Sequence, residues 1–136
     1  MSDITTLTSA VSPLAATQLS TEQLRDLVID AMEDLKAQDI SVLDVRAISD
    51  VTDIMIIASG ASNRQVAAIA NNVVEKAKAQ GQQPVGTEGE NNSEWVLVDL
   101  GDVIAHVMQP EVRAFYQLEK LWETAPEQVV NELASR

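Results

Sequence analysis

Residues 95–100 and 103–108 are two short apolar runs that are separated only by Gly101 and Asp102. Side chains alternate between the two faces of a strand, and a two-residue turn determines how two antiparallel strands pair. A turn centred on Leu100-Gly101 or on Gly101-Asp102 leaves one face of the hairpin wholly aliphatic. This face comprises Val96, Val98, Leu100, Val103, Ala105 and Val107. It must pack on a helix, so the two runs predict a sheet that helices cover on at least one side.

The other face of the hairpin is chemically mixed. It carries Trp95, Leu97, Asp99, Ile104, His106 and Met108. One turn places Trp95 opposite His106, and the other places it opposite Met108. A tryptophan, an acid, an imidazole and a thioether together are more typical of an interaction surface than of a sealed interior.

Two segments carry the signal of a helix start. Residues 20–23 are Ser-Thr-Glu-Gln and residues 62–65 are Ser-Asn-Arg-Gln, so each matches a capping box. Apolar residues recur at helical spacing after both segments. Pro110 marks the beginning of a third helix, whose apolar face is predicted to bury Phe115 and Trp122.

The remaining apolar runs predict strands. Residues 54–58 form a continuous apolar run, which is typical of a strand buried on both faces. Residues 40–45 are a second short segment, rich in β-branched residues. A further short strand is an option near Val85. We therefore predict a single α/β domain with a mixed four- or five-stranded sheet covered by helices.

The two ends of the chain differ from this pattern. Residues 1–19 are rich in Ser, Thr and Ala and contain no Lys, Arg or continuous apolar run. They are predicted to be a disordered tail, neither a signal peptide nor a membrane anchor. Residues 126–136 are predicted to be a C-terminal extension, which leaves residues 20–125 as the domain.

The chain has 21 acidic and nine basic residues, for a formal charge of −12. This charge repels nucleic-acid phosphates and anionic membranes, so sequence-specific nucleic-acid binding is not expected. It favours a basic protein partner, although acids that only keep a domain soluble give the same balance. The absence of cysteine excludes disulfides and thiolate metal sites and is compatible with the cytoplasm. With His106 as the only histidine, no metal or cofactor is expected.

The turn at residues 59–62, Ser-Gly-Ala-Ser, follows a predicted buried strand and opens a helix. Backbone amides at such a place can hold an anion. The turn lacks the lysine of a phosphate-binding loop and the third glycine of a dinucleotide site, so an ordinary cap at Ser62 is favoured. No pair of aspartates has the spacing of a recognised catalytic motif.

Three polar residues near the C-terminal end are candidates for contacts or chemistry. A lone histidine on a strand, such as His106, is more often structural than catalytic. Arg113 and Tyr116 lie three apart on the last helix, on a stripe that is consistent with exposure to solvent. A half-buried Tyr116 with a solvated hydroxyl fits the same spacing. Tyrosine, tryptophan and arginine are the residue types that most often dominate interface affinity.

Four stretches of the chain are distinctive in combination: residues 53–66, the Glu88-Gly89 pair, residues 94–106 and residues 113–122. Together with the helix before them, they resemble the ribosomal silencing factors, also called the Iojap-like family. The resemblance implies an α/β domain with a nucleotidyltransferase-like topology but without the catalytic carboxylates, and therefore not an enzyme. It also implies binding to ribosomal protein L14 of the large ribosomal subunit, on the face where the small subunit joins, and repression of translation by blocking that joining.

The same resemblance assigns roles to individual residues. The partner-binding residues are expected to be Trp95, Asp99, His106, Arg113 and Tyr116. Supporting roles are expected for Asp53, Ser59, Ser62 and Glu88. Two rival hypotheses remain: a nucleotide-binding or nucleotidyltransferase-like enzyme that uses the 59–62 turn, and a homodimeric interaction module whose hairpin face binds its own copy.

Overall fold

The computed structural model describes residues 19–123, which form four helices and five strands. In chain order they are α1 (Thr21–Asp34), β1 (Gln38–Asp44), β2 (Ile54–Ser59), α2 (Asn63–Ala79), β3 (Gly86–Glu88), β4 (Trp95–Asp99), β5 (Val103–Met108), α3 (Pro110–Tyr116) and α4 (Leu118–Glu123). β3 is the short strand expected near Val85. The predicted tail, apart from Leu19, and the predicted C-terminal extension lie outside the described residues.

Both predicted helix starts are capped by serines. Ser20 Oγ accepts from the Gln23 amide at 3.0 Å, and the Gln23 side chain accepts from the Ser20 amide at 2.9 Å, which completes a capping box. Ser62 Oγ accepts from the Gln65 amide at 3.1 Å. The Gln65 side chain, however, accepts from the amide of Ala61. The second capping box is therefore incomplete: Ser62 caps α2, but the Gln65 side chain does not bond to the Ser62 amide.

The five strands form one mixed sheet in the order β1-β2-β5-β4-β3. β2 and β5 run parallel, and every other neighbouring pair is antiparallel. A parallel pair needs a long crossover between its strands, which here contains α2, β3 and β4. The predicted single α/β domain with a mixed sheet is thereby confirmed, with five strands.

α1 and α2 cover one face of the sheet and form the main core with it. All six aliphatic residues of the predicted hairpin face are buried in this core, and β2 contributes Ile54, Ile56 and Ala58. Leu19, which was assigned to the tail, is partly buried against the same core. The aliphatic face therefore packs on helices as predicted.

β4 and β5 are joined by the two-residue turn Gly101-Asp102. Trp95 pairs with Met108, so the alternative pairing with His106 does not occur. Gly101 has a φ of 90°, a conformation that glycine adopts without steric cost. Of the two turns that the sequence allowed, the structure has the second.

The second face of the sheet has a smaller core. It consists of Leu43, Val45, Met55, Ile57 and Met108, and Ile48, Trp95, Val112 and Leu118 pack against it. Because α3 and α4 cover only part of this face, Leu97 and Asp99 remain partly exposed.

The last predicted helix is in fact two helices. Gln117 has a left-handed φ of 49° and separates α3 from α4. The prediction that Phe115 packs inward is wrong, because its side chain is 79% exposed. That prediction assumed one continuous helix, whereas the bend brings Val112 and Leu118 onto the sheet without Phe115. The side chain of Trp122 lies outside the described part of the chain.

The main core makes a direct prediction about stability. Ile56 is 0% exposed in β2, and replacing it with alanine leaves a cavity between the sheet and the helices. We expect Ile56→Ala to lower the free energy of unfolding by about 2–5 kcal/mol, measured by urea denaturation. Val42→Ala, on β1 at 42% exposure, is the control and should cost less than about 1 kcal/mol. Equal losses in the two variants would contradict this placement of the core.

Candidate functional site

Four ring side chains form a continuous row, which we call the aromatic row: His106, Trp95, Tyr116 and Phe115. The ring centroids of Trp95 and His106 are 5.8 Å apart, and those of Trp95 and Tyr116 are 5.0 Å apart. Phe115 meets Tyr116 edge to face, also at 5.0 Å. Exposure rises from 5% at His106 to 53% at Tyr116 and 79% at Phe115. The row therefore leads from the sheet interior to solvent.

Three elements bring the aromatic row together. The register of β4 and β5 puts Trp95 diagonally across from His106, on the shared face that the sequence predicted. Pro110 begins α3 shortly after β5, and its fixed φ suits the first turn of a helix. α3 then crosses the second face of the sheet and places Tyr116 against Trp95.

His106 is held in its neutral form. Trp95 Nε1 donates a hydrogen bond to His106 Nδ1 at 2.9 Å, so this nitrogen carries no proton and Nε2 carries one. Burial lowers the pKa of His106 to about 4, because the charged imidazolium is desolvated. His106 is thus the structural partner of Trp95, in line with the structural interpretation of a lone histidine.

A groove of about 350 Å³ runs beside the aromatic row, and we call it the acidic groove. It is lined by Glu88, Gly89, Asn92, Glu94, Trp95, Leu97, Val112 and Tyr116. Two carboxylates border rings and aliphatic side chains, and these lining residues include no base. Such a surface is complementary to a segment that presents a lysine or arginine beside apolar groups.

Gly89 allows the loop after β3 to approach Trp95. It has a φ of 87°. A Cβ at this position would lie 2.0 Å from the Trp95 carbonyl oxygen, so no residue with a side chain fits here. Gly89 is therefore a steric requirement of the groove, and the neighbouring Glu88 is exposed at its edge.

Arg113 lies beneath α3 and not on its solvent side. Its Nε and Nη2 donate to the Glu119 carboxylate at 2.8 and 2.7 Å. Nη1 donates to Ser59 Oγ at 2.8 Å, and Nη2 also donates to Ser41 Oγ at 3.1 Å. The side chain is 10% exposed. The prediction of solvent exposure is therefore wrong for Arg113, because its guanidinium pairs with an internal carboxylate. For Tyr116 the prediction is confirmed.

Sequence reasoning missed Glu119 and Ser41. Glu119 also accepts from the Ser41 hydroxyl at 2.9 Å. The hydrogen bond from Arg113 lowers the pKa of Glu119, which keeps the carboxylate ionised. The two partners of the ion pair are six residues apart, which is not a spacing that pairs on one continuous helix. Arg113 and Glu119 could be recognised as a pair only if the helix break at Gln117 had been predicted.

The two predicted aspartates both lie at the end of the sheet that carries the β4–β5 turn. Asp99 Oδ1 accepts from the Gly101 amide at 2.9 Å, so this half-buried acid stabilises the hairpin turn. Asp53 accepts from the Thr21 hydroxyl at 3.4 Å and lies 3.9 Å from Arg46 Nε. It immediately precedes β2, whose other end lies near the aromatic row. Asp53 is therefore remote from that row.

The turn between β2 and α2 uses its polar groups internally. The amide of Gly60 donates to a β5 carbonyl at 3.0 Å, and the amide of Ala61 donates to a side-chain oxygen of α2 at 2.6 Å. The Ser59 hydroxyl accepts from Arg113, and the Ser62 hydroxyl caps α2. An anion at this turn would compete with these bonds, so the arrangement favours a helix cap over a nucleotide site.

Fold and surface together define an α/β domain with a candidate docking surface, made of the aromatic row and the acidic groove. Within residues 19–123, no three His, Cys, Asp or Glu side chains are grouped in a way that would hold a metal ion. No helix in the described part of the chain is long and apolar enough to span a membrane.

Comparison with known proteins identifies the family. Residues 18–136 match the family model described as ribosomal silencing factor during starvation. A ribosomal silencing factor from Chromobacterium violaceum is 48% identical over 101 residues, which span 74% of this chain and 83% of that protein. One from Haemophilus influenzae is 46% identical over 99 residues, 73% of this chain and 97% of that protein. A crystal structure of a C. violaceum protein matches with a TM-score of 0.76 at 47% identity, covering 76% of this chain and 87% of that one. The chain belongs to the ribosomal silencing factor family, as its motifs predicted.

The buried His106 predicts a specific pH dependence of stability. Because its pKa is about 4 when folded and about 6.5 when unfolded, only the unfolded chain binds a proton between these values. The free energy of unfolding should therefore fall as the pH drops through this window, by up to about 3 kcal/mol from this group. Urea denaturation of the wild type and of His106→Gln at pH 7 and pH 4.5 isolates the effect, since His106 is the only histidine. The variant should lose less stability on acidification, and identical losses would refute the prediction.

Proposed function

We propose that this chain represses translation by binding ribosomal protein L14 on the large ribosomal subunit, where it blocks joining of the small subunit. The observation that carries the proposal is the exposure of Phe115 and Tyr116 beside the acidic groove, in a member of the ribosomal silencing factor family. The block is steric, because the small subunit cannot close over the occupied site. No bond is made or broken, so the chain is not proposed to be an enzyme. The proposed site of action is the cytoplasm, where ribosomal subunits join.

Exposed rings supply the apolar part of the proposed contact. Phe115 and Tyr116 are 79% and 53% exposed, and both belong to one row with Trp95. Covering such rings contributes roughly 25 cal/mol per Å² of apolar surface removed from water. Aromatic residues at the centre of a contact also tend to dominate its affinity. The aromatic row is therefore the expected affinity centre of the complex.

Charge supplies the orientation. Glu88 and Glu94 border the acidic groove, and the whole chain carries a formal charge of −12. A ribosomal protein surrounded by RNA is expected to be basic, and opposite charge speeds encounter. RNA phosphates would repel the same carboxylates, so the groove should face the protein and not the RNA. Direct sequence-specific binding of nucleic acid is accordingly not part of the proposal.

The proposed contacts and the supporting residues separate by burial. The proposed contacts are Trp95, Asp99, Tyr116, Phe115, Glu88 and Glu94. Glu88, for which a supporting role was expected, is included because it is exposed at the edge of the groove. His106 and Arg113 are only 5% and 10% exposed, so we propose that they support the contact residues and do not touch the partner. Asp53, Ser59 and Ser62 are proposed to support the fold through their internal hydrogen bonds.

Truncation of the two exposed rings tests the proposal. Phe115→Ala combined with Tyr116→Ala should weaken binding to large subunits at least about tenfold, because it removes the expected affinity centre. Saturating wild-type protein should reduce the joined ribosomes that form from separated subunits in a sedimentation assay, and the double variant should not. Val51→Ala is the matched control, since Val51 is 76% exposed but lies outside the groove. Undiminished joining at saturating wild-type protein would overturn the proposal, as would an equal loss in the control.

A second measurement separates the ribosomal partner from a second copy of the chain. Calorimetry with purified L14 should give a complex that weakens as salt is raised, because charge attraction contributes to it. Light scattering over a concentration series should show the isolated chain as a monomer. A dimer that Phe115→Ala dissociates, together with no heat on mixing with L14, would assign the aromatic row to self-association.

A further inference from the structure

α3 has little of its own to hold it in place. It has seven residues, its N-cap Gln109 makes no side-chain capping bond, and none of its residues is fully buried. Helices this short are not stable by themselves in water. The position of α3 on the sheet must therefore come from individual side-chain contacts.

Arg113 makes the largest set of these contacts. Its four hydrogen bonds reach Glu119 on α4, Ser59 on β2 and Ser41 on β1, so one side chain of α3 links three other elements. The forked pair with Glu119 is charge-assisted and largely shielded, with side-chain exposures of 10% and 25%. We call these four residues the Arg113 clamp.

The Arg113 clamp spans the bend that carries the exposed rings. Tyr116 is the last residue of α3, and Gln117 bends the chain with a φ of 49°. The Gln117 amide donates to the Arg113 carbonyl at 2.9 Å, while the Arg113 side chain reaches past the bend to Glu119. Arg113 is thus bonded on both sides of the bend, next to the residue that places its ring on Trp95.

We propose that Arg113 is a positioning residue of the docking surface: the Arg113 clamp holds the α3–α4 corner on the sheet so that Tyr116 and Phe115 stay in line with Trp95. The inference rests on the proposed function, since it concerns the surface that meets the large subunit. It differs from a role in the fold as a whole, because the main core forms between the sheet, α1 and α2, without α3 or α4. Loss of the clamp should therefore displace the rings and leave the domain folded.

Two substitutions at Arg113 test this. Arg113→Met keeps the aliphatic length but removes all four bonds, and Arg113→Lys keeps the charge without the planar fork. We expect binding to large subunits to weaken about tenfold in Arg113→Met and less in Arg113→Lys. The near-ultraviolet circular dichroism of the Trp95–Tyr116 pair should fall in the same order, while the far-ultraviolet signal is kept. A lost far-ultraviolet signal in both variants would overturn the inference by making Arg113 a requirement of the fold.

A mutant cycle with the two exposed rings distinguishes positioning from general destabilisation. If Arg113 acts by placing Tyr116 and Phe115, then Arg113→Met should cost much less, at most about twofold, once Phe115→Ala and Tyr116→Ala are both present. Independent effects would multiply, and full multiplication would refute the inference. Ile56→Val, which destabilises the main core without touching the clamp, should bind large subunits as the wild type does.

The outcomes for the two proposals are separable. Unchanged binding in Tyr116→Ala would count against the proposed docking surface itself. Weakened binding in Tyr116→Ala with unchanged binding in Arg113→Met would leave that surface standing and overturn the role of Arg113.

Discussion

The register of the β4–β5 hairpin determines what each layer of this protein is made of. Side chains repeat every two residues along a strand, so a turn longer by one residue would exchange the two faces of β5. Ala105 and Val107 would then leave the main core, and His106 would enter it. The turn at Gly101-Asp102 prevents this, and Asp99 reinforces it by accepting from the Gly101 amide. The contact of Trp95 with His106, and the row that extends from it, depend on this pairing.

The two faces of the sheet have different tasks as a consequence. One face is aliphatic and packs on α1 and α2, where burial of many small side chains supplies most of the stability. The other face carries polar groups and rings under a short corner formed by α3 and α4. That corner is held by the charge-assisted hydrogen bonds of Arg113 and by the packing of Val112 and Leu118 on the smaller core. The part that is proposed to meet a partner is thus built separately from the main core.

The features that were predictable from the sequence are those that depend on near neighbours in the chain. The serine caps, the buried strand β2 and the two faces of the hairpin follow from residues a few positions apart. The bend at Gln117 carries no such signal, since neither glycine nor proline marks it and a left-handed glutamine is uncommon. The exposure of Phe115 was missed for this reason.

In the candidate site, too, only the features that depend on residues close in the chain were predictable. The shared face of Trp95 and His106 follows from strand alternation. The burial of Arg113 does not, because it requires Ser41, which lies 72 positions earlier in the chain. Long-range pairings of this kind are decided by the packing of the whole sheet. They were therefore out of reach of periodicity and motif spacing.

The hydrogen bond from Trp95 to His106 has a consequence for recognition. An indole has a single donor and no acceptor, so a Trp95 that is bonded inward presents only its ring to a partner. Such a ring binds groups that fit its shape or carry a positive charge, and it requires no particular hydrogen-bonding group. In the proposed complex, the partner residue that contacts Trp95 is therefore free to vary, as long as its shape and its charge are kept. The directional hydrogen bonds of that complex would fall on Glu88 and Glu94, so a change of the partner at these carboxylates would most need a compensating change in this chain.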